Sequence, residues 1–150
     1  TTKIKGPSDN NTVYSLDEDN QEGDLLVNTI GSYTGTSLLD LDGSETTRLK
    51  VDVSGSWTIT LAPLSSAKKL TASYKGSKDM VLLVPSEDAK ILAFNSTGGD
   101  SNVTAYWYTE DDSDLLVNDI GRFKAEAPMT PGPGLIQVSS DGSWTVALSE

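Results

Sequence analysis

The sequence contains neither cysteine nor histidine. Without cysteine the chain can form no disulfide bond, no thiolate nucleophile and no zinc–thiolate site. Without histidine it lacks the usual general base at neutral pH and the commonest transition-metal ligand. These absences exclude serine–histidine and cysteine–histidine catalysis, and we expect a protein that is not an enzyme.

Long apolar segments are missing as well. No run approaches the roughly 18 residues of a membrane span, and no charged and then apolar leader opens the sequence, so we expect a soluble chain without membrane insertion. Acidic residues outnumber basic residues by 22 to 11, which gives a net charge of -11. A field of that sign repels phosphate backbones, so nucleic acid is not an expected partner.

Helical patterns are nearly absent from the sequence. Glycine, proline, serine, asparagine and aspartate interrupt it about every eight to twelve residues, and the apolar residues between them alternate with polar ones, as in strands. Outside the repeated segments described next, the predicted strands are residues 12–16, 70–74, 80–84, 90–94 and 103–108.

Two segments of the sequence occur twice. "GDLLVNTIGSY" at 23–33 returns as "SDLLVNDIGRF" at 113–123, and "VDVSGSWTITL" at 51–61 returns as "VSSDGSWTVAL" at 138–148. Such a repeat indicates internal duplication. The sequence therefore predicts an all-β fold of two tandem related β-sandwich modules, jelly-roll or Ig-like in type, at residues 1–63 and 64–150.

The repeated segments also provide a predicted core. Each copy is expected to end in a hairpin with a glycine turn and a tryptophan that faces the core. In the strand predicted within residues 23–33, strict alternation places Leu26 and Asn28 on one face and Leu25 and Val27 on the other. The residues assigned to the repeat core are Leu26, Asn28, Ile30, Trp57, Leu116, Asn118, Ile120 and Trp144.

The two copies differ in extent. The predicted strands around Tyr74 and Val84 have no counterpart before Lys3, so the first module is short by about two strands. Missing strands leave unpaired edges and a thin core. We expect the first module to complete itself by packing on the second module or on a neighbouring subunit.

Two acidic loops, at 16–24 and 109–114, lie at equivalent points of the copies. Carboxylates of this density could hold calcium, which prefers oxygen ligands, although the spacing departs from the EF-hand loop pattern. We interpret the loops as solvated acidic turns and expect no cofactor. Calcium is the alternative, with the candidate ligands Asp17, Asp19, Asp112 and Asp114.

Basic and aromatic clusters are the candidate contact residues. Two lysine-bearing strips lie on an otherwise acidic chain, where they can dock onto acidic loops of another copy. The run "VTAYWY" places three aromatic rings together, with the middle ring on the opposite face from its neighbours. The candidates are Lys3, Lys5, Lys68, Lys69, Lys75, Lys78, Tyr106, Trp107 and Tyr108.

The stretch "DEDNQEGDLLVNTIGSYTGTSLLDLDG" followed by "LKVDVSGSWTITL" resembles a small all-β module of uncharacterised secreted and envelope proteins of actinobacteria. The second copy is similar more loosely. The resemblance implies a fold and no catalytic residues. Those proteins usually have a leader or a lipid-attachment cysteine, and this sequence has neither, so an actinobacterial phage is a possible carrier of the module.

These observations favour a structural or interaction protein. The sequence is similar in kind to small accessory proteins of tailed-phage heads, which is an analogy at the level of fold. We expect a virion surface protein, such as a capsid decoration subunit, made in the host cytoplasm and docking on other virion subunits or on itself through edge strands and lysine-bearing segments. The alternative is a secreted cell-surface module that binds glycan or protein.

Overall fold

The computed structural model describes residues 1–41, 43–85, 88 and 90–149 of the chain. Over these residues the fold is all-β, with fifteen strands and one short 3-10 turn at Leu64–Ser66. None of the helical structure in these ranges has the length and hydropathy of a membrane span. The chain divides into two compact units, Thr1–Ala62 and Pro63–Glu150, which we call unit 1 and unit 2.

Unit 1 contains six strands in two antiparallel sheets, ordered β4-β1-β6 and β3-β2-β5. Ile4 of the first sheet and Val13 and Val27 of the second form one buried cluster, as in a β-sandwich. The strands are β1 (Thr2–Lys5), β2 (Asn10–Leu16), β3 (Glu22–Ile30), β4 (Tyr33–Gly35), β5 (Arg48–Asp52) and β6 (Ser56–Ile59).

Unit 2 contains nine strands in two sheets, ordered β13-β10-β15-β8 and β12-β11-β14-β9-β7. Its buried cluster is much larger than that of unit 1 and includes both Trp107 and Trp144. The strands are β7 (Lys68–Lys69), β8 (Ser73–Gly76), β9 (Met80–Val84), β10 (Ile91–Ser96), β11 (Asn102–Tyr108), β12 (Ser113–Ile120), β13 (Phe123–Pro128), β14 (Gly134–Ser139) and β15 (Trp144–Ser149).

Strands β10 to β15 of unit 2 follow the order and pairing of β1 to β6 in unit 1. Ile4 pairs with Trp57 as Ser96 pairs with Trp144. Strands β7, β8 and β9 are the additions of unit 2, and β8 and β9 each extend one of its two sheets beyond β15 and β14.

The glycine turns do not form the hairpins that we expected. β5 pairs with β2 whereas β6 pairs with β1, so the turn at Gly55 carries the chain from one sheet to the other. The turn at Gly142 does the same between β14 and β15. Gly55 has a φ of +134°, and a Cβ on Gly142 would lie 1.9 Å from the Gly98 carbonyl oxygen, so both crossings need glycine.

Several strand predictions coincide with observed strands. Residues 80–84 are β9, and the segments at 12–16, 90–94 and 103–108 lie mostly within β2, β10 and β11. The segment at 70–74 overlaps β8 only at its end. Strands β1, β4, β7 and β13 were not predicted, because β1, β4 and β7 are very short and β13 combines apolar residues with lysine and glutamate.

Candidate functional site

A β-bulge interrupts β3 and recurs at the same place in β12. Val13 pairs with Val27 and Tyr14 pairs with Leu25, so Leu26 has no partner on β2. In unit 2, Ala105 pairs with Val117 and Tyr106 with Leu115, which leaves Leu116 as the extra residue. A bulge shifts the alternation of side chains by one residue.

The bulge makes the predicted alternation in these strands wrong. Val27 is buried, and Leu25, Asn28 and Ile30 lie on the opposite, outward face together with their partners on β2. Of the residues assigned to the repeat core, Asn28, Ile30, Asn118 and Ile120 are exposed, while Leu26 and Leu116 pack beside the core.

Along residues 10–16 and 25–30, six of the seven outward residues of the β2–β3 pair are identical to their equivalents in the β11–β12 pair, and the differing pair is Leu16 and Tyr108. We call this six-residue set the repeated outer face. In unit 1 and unit 2 respectively, its equivalent residues are Asn10 and Asn102, Thr12 and Thr104, Tyr14 and Tyr106, Leu25 and Leu115, Asn28 and Asn118, and Ile30 and Ile120.

Exposure is also the same in the two copies of the repeated outer face. Leu25 and Leu115 are 47% and 46% exposed, and Ile30 and Ile120 are 72% and 67% exposed. Exposed large aliphatic side chains are ordinary when single, but here they recur at matched positions. The members of the repeated outer face on β2 and β11 also repeat in the sequence, as the pattern Asn-x-Thr-x-Tyr at 10–14 and again at 102–106.

The inward face of the same strands has diverged. The equivalent inward pairs are Asn11 and Val103, Val13 and Ala105, Ser15 and Trp107, Leu26 and Leu116, Val27 and Val117, and Thr29 and Asp119, of which only the leucine pair and the valine pair agree. Cores accept many combinations of apolar residues of suitable volume, so packing leaves inward residues free to differ. Packing does not account for the agreement on the outside, which makes the repeated outer face the candidate functional surface of these strands.

The two repeated tryptophans have dissimilar surroundings. Trp144 is fully buried, and its indole N–H donates to the Lys78 carbonyl oxygen at 3.1 Å. Trp57 shares a sheet face with buried Ile4 but remains 50% exposed. The assignment of Trp57 to a buried core was therefore wrong, because no strand in the described part of unit 1 lies beyond β6 to cover the indole.

The predicted contact residues lie in several places. All six lysines are exposed: Lys3 and Lys5 lie on β1, Lys68 and Lys69 on β7, Lys75 on β8 and Lys78 in the turn after β8. Tyr106 and Tyr108 stack on each other with ring centroids 5.9 Å apart. Trp107 is buried and donates to the Thr130 carbonyl oxygen, so its assignment as a contact residue was wrong.

The acidic loops use their carboxylates for local hydrogen bonds. Asp17 Oδ1 accepts from the backbone N–H groups of Asp19 and Gln21 at 2.9 and 2.8 Å. Asp112 accepts from the Ser113 N–H, and Asp114 accepts from the Thr130 hydroxyl. Within the described residues, no three acidic side chains converge as a metal site would require.

Comparison of the chain with protein-family models, with curated proteins and with solved structures finds no match. Function is therefore inferred from the geometry of the chain itself.

Proposed function

We propose that the chain is a non-enzymatic structural protein that binds a protein partner through the repeated outer face, with one binding surface in each unit. The observation that carries this proposal is the agreement of six of seven outward residue pairs against two of six inward residue pairs. A face with leucine and isoleucine among tyrosine and asparagine has the composition of a protein contact surface.

We also infer that a six-strand β-sandwich was duplicated to give the two units. The support is the shared strand order, the shared pairing register and the shared bulge at Leu26 and Leu116. Duplication explains why the two outer faces began identical, and a common partner explains why they stayed so.

Each outer face includes an edge strand, since β3 and β12 each end a sheet. We propose the surface of a virion as the setting, with the chain as a decoration subunit. Two equivalent surfaces on one chain suit a partner that is itself repeated, as capsid subunits are, because the second contact then forms at high effective concentration. The net charge of -11 supports a protein partner rather than nucleic acid.

The proposed function predicts a steep loss of binding when both surfaces are changed. Ile30→Glu and Ile120→Glu each place a charge on one outer face, and each is expected to leave binding through the other unit. The double variant is expected to lose about 100-fold or more in apparent affinity, because avidity is lost along with contact area. Co-sedimentation of each variant with purified particles of the phage that encodes the chain measures this loss of affinity.

Thr71→Glu is the matched control, since it adds the same charge at an exposed position outside the repeated outer face. Equal binding by wild type and the double variant would contradict the proposed surface. A different result would identify carbohydrate as the partner in place of protein. In that case the wild-type chain binds immobilised glycans but not phage particles, and the double variant loses glycan binding.

A further inference from the structure

Among the described residues, no strand pairs with the outer edge of β6 in unit 1. The Thr60 N–H donates to the Thr1 carbonyl oxygen at 2.9 Å, so Thr60 faces β1. Backbone groups alternate in direction along an antiparallel strand. Those of Thr58 therefore face β1 as well, while those of Trp57 and Ile59 face the open side of the sheet.

Unit 2 shows what fits at the equivalent edge. There β8 lies antiparallel to β15, with Gly76 opposite Trp144 and Tyr74 opposite Val146. The Leu148 N–H donates to the Ala72 carbonyl oxygen at 2.8 Å and extends this pairing. Trp144 and Val146 are the register equivalents of Trp57 and Ile59, so the same edge is filled in unit 2 and open in unit 1.

The residues of β8 are matched to the tryptophan beneath them. A Cβ on Gly76 would lie 2.3 Å from Cζ2 of Trp144, so any larger residue would collide with the indole. The Tyr74 ring packs on the indole with centroids 5.8 Å apart, and Lys78 accepts the indole hydrogen bond. An aromatic residue followed two positions later by glycine is therefore what closes over this tryptophan.

The β6 edge also lacks the usual protection against strand addition. Natural edge strands are commonly guarded by charged side chains, and β5 and β8, for example, carry Lys50 and Lys75. All four residues of β6 are uncharged, and Leu61 just beyond it is 69% exposed. Residues 1–62 hold ten acidic and four basic residues, a balance that attracts a basic partner.

We propose that the β6 edge of unit 1 binds an extended, basic segment of another protein in which an aromatic residue is followed two positions later by glycine. The segment adds antiparallel to β6, with glycine opposite Trp57 and the aromatic residue opposite Ile59. Backbone hydrogen bonds provide affinity and the fit over the indole provides selectivity, as in other cases of strand addition.

The first test uses a peptide with the sequence LTASYKGSK, which is that of residues 70–78. Of the three tryptophans, Trp57 alone is exposed, so acrylamide quenching of tryptophan fluorescence reports on the β6 edge of the intact chain. We expect saturable shielding of Trp57 by the peptide. The same peptide with Gly76→Val is expected to bind at least about tenfold more weakly, because its side chain meets the indole.

The second test ties the peptide to the chain, so that binding is detected even when the free peptide has low affinity. The nine-residue segment is fused in front of Thr1 through a flexible glycine–serine linker, which raises its effective concentration to about the millimolar range. We expect the fused segment to shield Trp57 and to raise the urea midpoint of unit 1. The fusion that carries the Gly76→Val change in its added segment is expected to do neither.

Absence of shielding in both formats would overturn the proposal. Equal shielding by the glycine and valine sequences would also overturn it, because the fit over the indole would then play no part. If the free chain doubles its mass with concentration and Trp57 becomes shielded without peptide, the edge belongs to a second copy. None of these outcomes depends on Ile30 or Ile120, so this test and that of the proposed function fail separately.

Discussion

Trp144→Ala is expected to destabilise unit 2 by about 3–5 kcal/mol, whereas Trp57→Ala at the equivalent position of unit 1 is expected to cost about 1–2 kcal/mol. Trp144 is fully buried, packs on Tyr74 and Phe94, and donates a hydrogen bond to Lys78. Its removal leaves a cavity and an unpaired carbonyl group. Half of the Trp57 side chain is already in water, so less contact is lost.

Urea unfolding followed by circular dichroism measures both effects, and amide hydrogen exchange assigns each transition to its unit. The two variants are matched controls for each other, because they remove the same side chain from register-equivalent positions. Equal losses of unfolding free energy in the two variants would contradict the conclusion that β8 covers Trp144 while Trp57 is left half exposed.

Asn11→Ala is expected to lower the unfolding free energy of unit 1 by about 3 kcal/mol, because it strands buried polar groups. Asn11 is fully buried in a unit with a small core. Its amide donates to the carbonyl oxygens of Asp9 and Gly31 at 3.0 Å each, and its Oδ1 accepts from the Ser54 N–H at 3.0 Å. Alanine removes all three hydrogen bonds.

Asn10→Ala is the control for this prediction, since Asn10 is the exposed neighbour on the same strand. It is expected to change the unfolding free energy by about 0.5 kcal/mol or less. Chemical denaturation followed by Trp57 fluorescence reports on unit 1. A loss of about 1 kcal/mol or less in Asn11→Ala would show that water replaces the asparagine amide at little cost.

The alternation of apolar and polar residues between turn residues was sufficient to predict an all-β chain and most of its strands. The expected alternation of inward and outward side chains breaks at Leu26, because a bulge inserts one extra residue there. Nothing in the local composition predicts this bulge. That single shift moved Asn28 and Ile30 from the predicted core to the surface. Sequence reasoning therefore assigned four members of the repeated outer face, Asn28, Ile30, Asn118 and Ile120, to the inside of the fold, although it placed Tyr106 among the contact residues.

Trp57 was misplaced for a different reason. Its local sequence, Gly-Ser-Trp-Thr, is identical to that around Trp144, and local sequence contains no information on whether a further strand covers it. The cover of Trp144 comes from Gly76 and Lys78, more than sixty residues away in sequence. Burial of this kind is decided by tertiary structure.

The two units hold equivalent glycine carbonyl groups with buried polar residues that lie on different strands. The carbonyl group of Gly31 is bonded by Asn11, and that of its equivalent Gly121 is bonded by the Ser96 hydroxyl at 2.6 Å. Ser96 occupies the register position of Ile4, and Val103 occupies that of Asn11, so the polar residue has changed strands.

Tandem homologous units are prone to misassembly in which one unit captures a strand of the other. If β1 entered unit 2 in place of β10, isoleucine would replace Ser96 and the Gly121 carbonyl would lose its partner. The reverse exchange would bury a serine beside Asn11 in unit 1. Each exchange would therefore lose hydrogen bonding or packing that the native arrangement has, which favours the native pairing of the two sets of strands.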